Sequence, residues 1–141
     1  MPKLEPRVEP IKRWTIRDSL DAYHIAKWGQ GYFSINRKGH IAVHGDKDTE
    51  RAIDLKSLID QLLPRGISLP ILIRFTDILR HRLAEIHQAF QNAIDEFEYE
   101  GAYRCVYPVK VNQQRHVVQE ILDFGREYRV GLEAGSKPEL L

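Results

Sequence analysis

The stretch YRCVYPVKVNQQRHVVQEI, Tyr103–Ile121, sets a lysine among residues that ought to be apolar. Val106, Val109 and Val111 mark a β-strand, Lys110 falls inside it near its C-terminal end, and a helical pattern follows at once. Side chains alternate faces along a strand. Val109 and Val111 therefore share one side, and Lys110 shares the other with Pro108 and Asn112. Strands in sheets covered by helices are normally apolar on both faces, and the C-terminal strand ends are where α/β folds build their chemistry. An amine desolvated there falls below its ordinary pKa of about 10.4 and attacks carbonyl carbons. Such amines form Schiff bases, including with pyridoxal phosphate. The same spacing also fits a strand-end lysine whose ammonium reaches back to water, and spacing alone leaves both readings open.

Other chemistry-bearing residues are less organised. Six histidines are present, none arranged as a metal pair. His81 and His87 are not at the i, i+4 spacing that puts two ligands on one helix face. His116 and Glu120 are at that spacing, but read as a solvated helix pair. Cys105 is the one cysteine, so neither a disulfide framework nor a cysteine-based zinc site is available, and the residue reads as buried rather than reactive. Gly29-Gln30-Gly31 is too short for a phosphate cradle and reads as a turn.

The elements that must position Lys110 follow from periodicity. TIRDSLDAYHIAKWG predicts one short helix, capped by Asp18 or Ser19 and stopped at Gly29. YFSINRKGHIAVH predicts a hairpin turning at Arg37, Lys38 and Gly39. GDKDTERA is a polar loop. IDLKSLIDQLLPRG is an amphipathic helix with Leu55, Leu58, Ile59 and Leu62 on one face. LPILIRF predicts a strand. A long helix capped by Thr76 or Asp77 comes next, with a stripe through Leu79, Leu83, Ile86, Phe90, Ala93 or Ile94, and Phe97, ending by Gly101. After the Lys110 strand, QQRHVVQEILDFG is a helix burying Val117, Val118, Ile121 and Leu122 and stopped by Gly125. YRVGLE is a strand, and SKPEL opens a helix with Ser136 and Glu139 as a capping box and Pro138 in the first turn.

Strand, helix, strand, helix means βαβ units and a parallel sheet. Two parallel strands do not complete a covered sheet, and the last helix has only begun at Leu141, so the expectation is the front part of a longer protein. The 141 residues carry 43% hydrophobic and 29% charged residues, with a net charge of +1. That balance fits a globular core and gives no support to a nucleic-acid or membrane-surface partner. No apolar run spans a bilayer, and MPKLEPRVEPIKRW lacks the apolar segment of a signal peptide; a cytoplasmic location is the simplest inference. Residues 1–13, rich in proline and charge, read as a flexible arm.

VYPVKVNQQRHVVQEI followed by GLEAGSKPELL closely resembles the biosynthetic arginine decarboxylases, pyridoxal-phosphate enzymes of the alanine-racemase-like type. WGQGYFSINRKGHIAV and LPILIRFTDILRHRL resemble that family's N-terminal segments in the same order, so the likeness covers nearly the whole chain from Trp14 onward. The resemblance implies a pyridoxal-phosphate-binding (β/α)8 barrel begun by residues 76–141, and a second, mainly β domain to which residues 14–75 contribute. It implies that Lys110 is the Schiff-base lysine and that Glu133 faces the cofactor; the bland reading of Glu133 is a carboxylate that favours the next helix N-terminus. Asn112 and Ser136 adjoin the site without an assigned role. The implied reaction converts L-arginine to agmatine and carbon dioxide on the way to putrescine and spermidine. Magnesium and a homo-oligomeric full-length enzyme are implied by the resemblance alone. The glycine-rich phosphate loop, the partner of the pyridine nitrogen and a cysteine-bearing segment of a partner subunit are expected outside these residues, so the isolated chain should be inactive. The alternatives are an ornithine, lysine or diaminopimelate decarboxylase or a racemase of the same fold, a non-catalytic regulatory relative, and a small binding domain in its own right. Retention of Lys110 argues against the regulatory relative, and the unfinished βαβα pattern against the small domain.

Overall fold

A computed structural model of the protein describes residues 13–141. The expected arm over 1–13 therefore lies, apart from Arg13, outside the described residues. Helices α1 (Ile16–Ala22) and α2 (Ile25–Gly29) lead into strands β1 (Phe33–Ile35), β2 (Ile41–His44) and β3 (Ala52–Asp54), then helix α3 (Leu55–Leu62). A 3-10 turn (Leu63–Arg65) and an irregular segment lead to the 21-residue helix α4 (Thr76–Glu96). Strand β4 (Val106–Pro108), helix α5 (Arg115–Gly125), strand β5 (Gly131–Glu133) and the short helix α6 (Lys137–Leu140) complete the order.

The first sheet is antiparallel, in the order β1-β2-β3. Phe33 faces Val43 and Ile35 faces Ile41 across the hairpin, as its pattern predicts. The turn is fixed by Asn36, whose side-chain oxygen accepts from the N–H groups of Lys38 and His40, and by Gly39 at φ +81°. The expected polar loop is shorter than predicted. Ala52–Asp54 pair with β2 as a third strand, and α3 starts two residues later than expected, at Leu55, capped by Asp54 accepting from the Ser57 N–H. Asp54 also receives the Asn36 amide and faces His40 Nδ1 at 3.0 Å. These bonds, the Ser57 N–H foremost, hold its carboxyl well below the usual carboxylate range. The core sits here: Val43 is fully buried, and Ile25, Tyr32, Ala42 and His44 are buried around it.

The single helix expected over Thr15–Gly29 is two. His24 takes φ 50°, which breaks the helix at Tyr23, and the cap is Thr15 in a reciprocal capping box with Asp18. The expected strand LPILIRF does not pair: residues 69–75 form no strand, with a bend at Leu69 and Pro70. An apolar run marks burial potential, whereas a strand needs a hydrogen-bonding neighbour. Thr76 and Asp77 lie inside the first turn of α4, whose cap position is Phe75 without a side-chain bond. The helix also ends before Gly101. Glu98 takes φ 50°, and the Tyr99 N–H bonds the Ile94 carbonyl, closing the helix on a glutamate where glycine is usual.

Helix α5 packs on α4, and β4 pairs parallel with β5, giving the predicted βαβ unit. Ile121 is buried at 2% exposure, while Val117, Val118 and Leu122 are half-buried. Gly125 does not stop α5 by its backbone. The left-handed residue is Arg129, with the Val130 N–H bonded to the Gly125 carbonyl. Gly125 is required for space instead, because a Cβ there would lie 2.5 Å from Val130 Cγ2.

Candidate active site

Strand β4 is shorter than the valine pattern predicts. It stops at Pro108, and Val109–Val111 form one 3-10 turn. Lys110 therefore stands just beyond the C-terminal end of the strand, exposed, and not within the sheet. The face alternation expected for Val109, Lys110 and Val111 does not apply. Pro108 removes an N–H that a continuing ladder would need, which favours the end of pairing at this point.

The parallel register sets Pro108 opposite Glu133, so both strands end at the same level. This register and the turn that follows each strand put the Lys110 and Glu133 side chains both against Gly135. A Cβ built on Gly135 would lie 3.3 Å from Glu133 Oε1, 3.6 Å from Glu139 Oε2 and 3.8 Å from Lys110 Cδ. Glu139 is held firmly, because its Oε2 accepts from the Gly135 N–H at 2.8 Å and its Oε1 from the Ser136 hydroxyl at 3.1 Å. The capping box expected at Ser136 is thus rearranged. The hydroxyl donates to the glutamate rather than accepting from the helix, and the glutamate reaches Gly135 rather than the cap N–H.

Asn112 acquires a role that its position did not reveal. Its side-chain oxygen accepts from the Gln114 N–H at 3.1 Å, and its carbonyl accepts from the Tyr107 hydroxyl at 3.3 Å. These bonds tie the Lys110 turn to the start of α5 and to β4. The neighbourhood that sequence reasoning missed is Gly135 with Glu139. Its signal was present in EAGSKPEL, where two glutamates flank a glycine and a serine, but only the folded turn brings them to one lysine.

The other candidates stay apart from this cluster. His81 Nδ1 lies 2.7 Å from the Tyr32 hydroxyl, in a bridge between the first sheet and α4. His87 stacks on Tyr128 with ring centroids 4.5 Å apart. Cys105 is a half-buried free thiol. Gln30 and Gly31 both take positive φ, so Gly29–Gly31 is the turn expected of it. Among the described residues, no group of three or more His, Cys, Asp or Glu is arranged to hold a metal, and no helix is long and apolar enough to cross a membrane.

No protein-family model matches the chain. Individual proteins do. A biosynthetic arginine decarboxylase from Gloeobacter violaceus is 54% identical over 131 residues, 93% of this chain and 20% of that protein. One from Geobacter sulfurreducens is 49% identical over 93% of this chain and 21% of its own length, and one from Rhodopirellula baltica 51% identical over 92% and 19%. The chain thus spans about a fifth of the curated relatives it matches. The crystal structure of the biosynthetic arginine decarboxylase SpeA from Campylobacter jejuni superposes with a TM-score of 0.73 at 34% identity, over 84% of this chain and 19% of that one. In sequence and in fold, the chain is related to one fifth of a biosynthetic arginine decarboxylase, the family that its motifs resemble.

Proposed function

We propose that the chain is the N-terminal part of a pyridoxal-phosphate-dependent arginine decarboxylase that converts L-arginine to agmatine and carbon dioxide, with Lys110 as the residue that binds the cofactor covalently. The observation that carries this is the placement of Lys110 and Glu133 at the C-terminal ends of two parallel strands, with both side chains lying against Gly135. Identity of about half to proteins of that name supports the same reading. In this reading β1–β3 belong to a mainly β domain over residues 14–75, and residues 76–141 open the (β/α)8 barrel. The separation of the antiparallel sheet from the parallel β4–β5 pair supports that division.

The residues fit the cofactor in part. Lys110 stands exposed on a turn held by Asn112, and the Glu133 carboxylate reaches over Gly135 from the neighbouring strand. Pyridoxal phosphate, when bound, supplies the electron sink that makes loss of carbon dioxide feasible. Lys110 Nζ must be unprotonated to bond the cofactor; it would take up protons when the substrate amine displaces it and give them up again when it bonds the cofactor as product leaves. Glu133, on the neighbouring strand, would face the cofactor and fix its orientation. A phosphate cradle is not assigned to these residues, and neither is a magnesium site, so no step is routed through either.

Borohydride reduction of the resting full-length enzyme, followed by peptide mass mapping, tests the assignment. The label is expected on the peptide spanning Val109–Arg115. Lys110→Ala should abolish the label and lower turnover by several orders of magnitude. Lys110→Arg should be nearly as damaging, because a guanidinium stays protonated. A label on another lysine, such as Lys137, would overturn the assignment.

A further inference from the structure

Gly135 poses a separate question. Its φ lies outside the left-handed region, unlike Gly31, Gly39 and Gly66, so its backbone conformation is open to any residue. What a side chain would meet there is the candidate site itself: the Glu133 carboxylate at 3.3 Å, Glu139 Oε2 at 3.6 Å and the Lys110 stem at 3.8 Å. The first of these is closer than a methyl group tolerates without movement of its neighbour. Glu139 is not free to yield, since both its oxygens are bonded to Gly135 and Ser136. The movement must then fall on Glu133, since the lysine stem at 3.8 Å is at ordinary contact distance.

We propose that Gly135 is a positioning residue for the decarboxylase reaction: by lacking a side chain it lets the Glu133 carboxylate and the Lys110 stem share the space over its backbone. This rests on the proposed role of Lys110 but goes beyond it, because it assigns a constraint on how long the acidic side chain on β5 can be. A glutamate at 133 and a glycine at 135 form a matched pair. A methyl group at 135 displaces the carboxylate, and an acidic side chain shorter by one methylene at 133 makes room for the methyl. Gly135 itself touches no reacting atom.

The test is a double-mutant cycle in the full-length enzyme with Gly135→Ala, Glu133→Asp and both together. Gly135→Ala should leave the unfolding midpoint unchanged and lower kcat by about tenfold, the scale of loss expected from a sub-ångström misplacement of a site group. KM for arginine should change little. The pH midpoint of cofactor absorbance should shift, because the carboxylate beside the bound cofactor has moved; a merely structural role would not move it. In the double variant, kcat and the absorbance midpoint should return to the values of Glu133→Asp alone, a non-additivity that marks direct coupling. The inference is overturned if Gly135→Ala matches the parent in kcat and absorbance, or if the losses of the two single variants multiply. It is equally overturned if Gly135→Ala only lowers the unfolding midpoint and the second change does not restore it. Borohydride labelling of the parent in the same series separates the two ideas. A label away from Lys110 defeats the proposed function, whereas a label on Lys110 with a silent Gly135→Ala defeats this inference alone.

Discussion

Gly125 and Lys110 show how differently single residues were legible. Gly125 read as a helix stop, since glycine after an apolar stripe usually takes the left-handed conformation. The left-handed residue is Arg129, and Gly125 is needed because Val130 folds back onto it. Gly125→Ala should therefore act through overpacking. With Val130 Cγ2 only 2.5 Å from the new carbon, the expected loss is about 1–3 kcal/mol, measured as a lowered unfolding midpoint of the full-length enzyme. Val130→Ala should not rescue it, because the Val130 Cβ that alanine keeps lies 2.6 Å from the new carbon. An unchanged midpoint in the single variant would show that the turn relaxes freely. Lys110 was legible as an anomaly in a valine pattern, because charge among β-branched residues is conspicuous whatever the fold. Its placement on a turn was not, since the valines on either side satisfy a strand and a 3-10 turn equally.

At the scale of elements, the first sheet is joined to α4 by a cluster around Glu85. The carboxylate pairs with Lys47, accepts from Arg82 at 2.7 Å and from the Tyr32 hydroxyl at 3.2 Å, and has His81 Nδ1 at 3.7 Å. The Lys47 bond is the main cause that lowers its pKa to about 2, with Arg82 and Tyr32 adding to it against partial burial. A carboxyl whose pKa is lower folded than unfolded adds stability that is complete above its unfolded value, near 4.5, and is lost as pH falls through about 2. Stability measured by denaturant at successive pH values should decline across that window. In Glu85→Gln the part of the decline due to this group should vanish, with lower stability at neutral pH because Lys47 loses its partner. Equal slopes in parent and variant would sink the argument. At the other end of the first sheet, Thr15→Ala removes the cap of α1 and should cost about 1 kcal/mol, seen as a lower unfolding midpoint; no change would mean that the helix end frays already. The strand β3 escaped the sequence because Ala52–Asp54 has no alternation to announce it, and LPILIRF was mistaken for a strand because an apolar run does not say whether a neighbour exists.

For the molecule as a whole, burial is uneven. The first sheet has an enclosed core, whereas α4, the segment before it and the βαβ unit bury Ile121 and leave Leu72 75%, Phe97 75%, Val111 69% and Val106 57% exposed. A two-stranded sheet does not hold itself together in water, and parallel strands are stable where both faces are covered. The isolated 141-residue chain should therefore self-associate and bind a hydrophobic dye, with exchange-labile amides in β4 and β5 and protected ones in β2. Light scattering and hydrogen exchange would read this directly. A monomer with one cooperative melt and uniform protection would refute it.

The sequence by itself determined the element types with strong periodicity, α3, α4 and α5, the hairpin, the parallel pairing of β4 with β5 in a βαβ unit, and the likeness to arginine decarboxylases carried by VYPVKVNQQ and GLEAGSKPELL. These are local or motif properties, written in residue types at fixed spacing. Tertiary structure alone decided where pairing stops at Pro108, that Glu139 is drawn to Gly135 and Ser136, and that Glu133, Glu139 and Lys110 share one space. Register and turn geometry fix those contacts, and both depend on neighbours distant in sequence, which no local pattern contains.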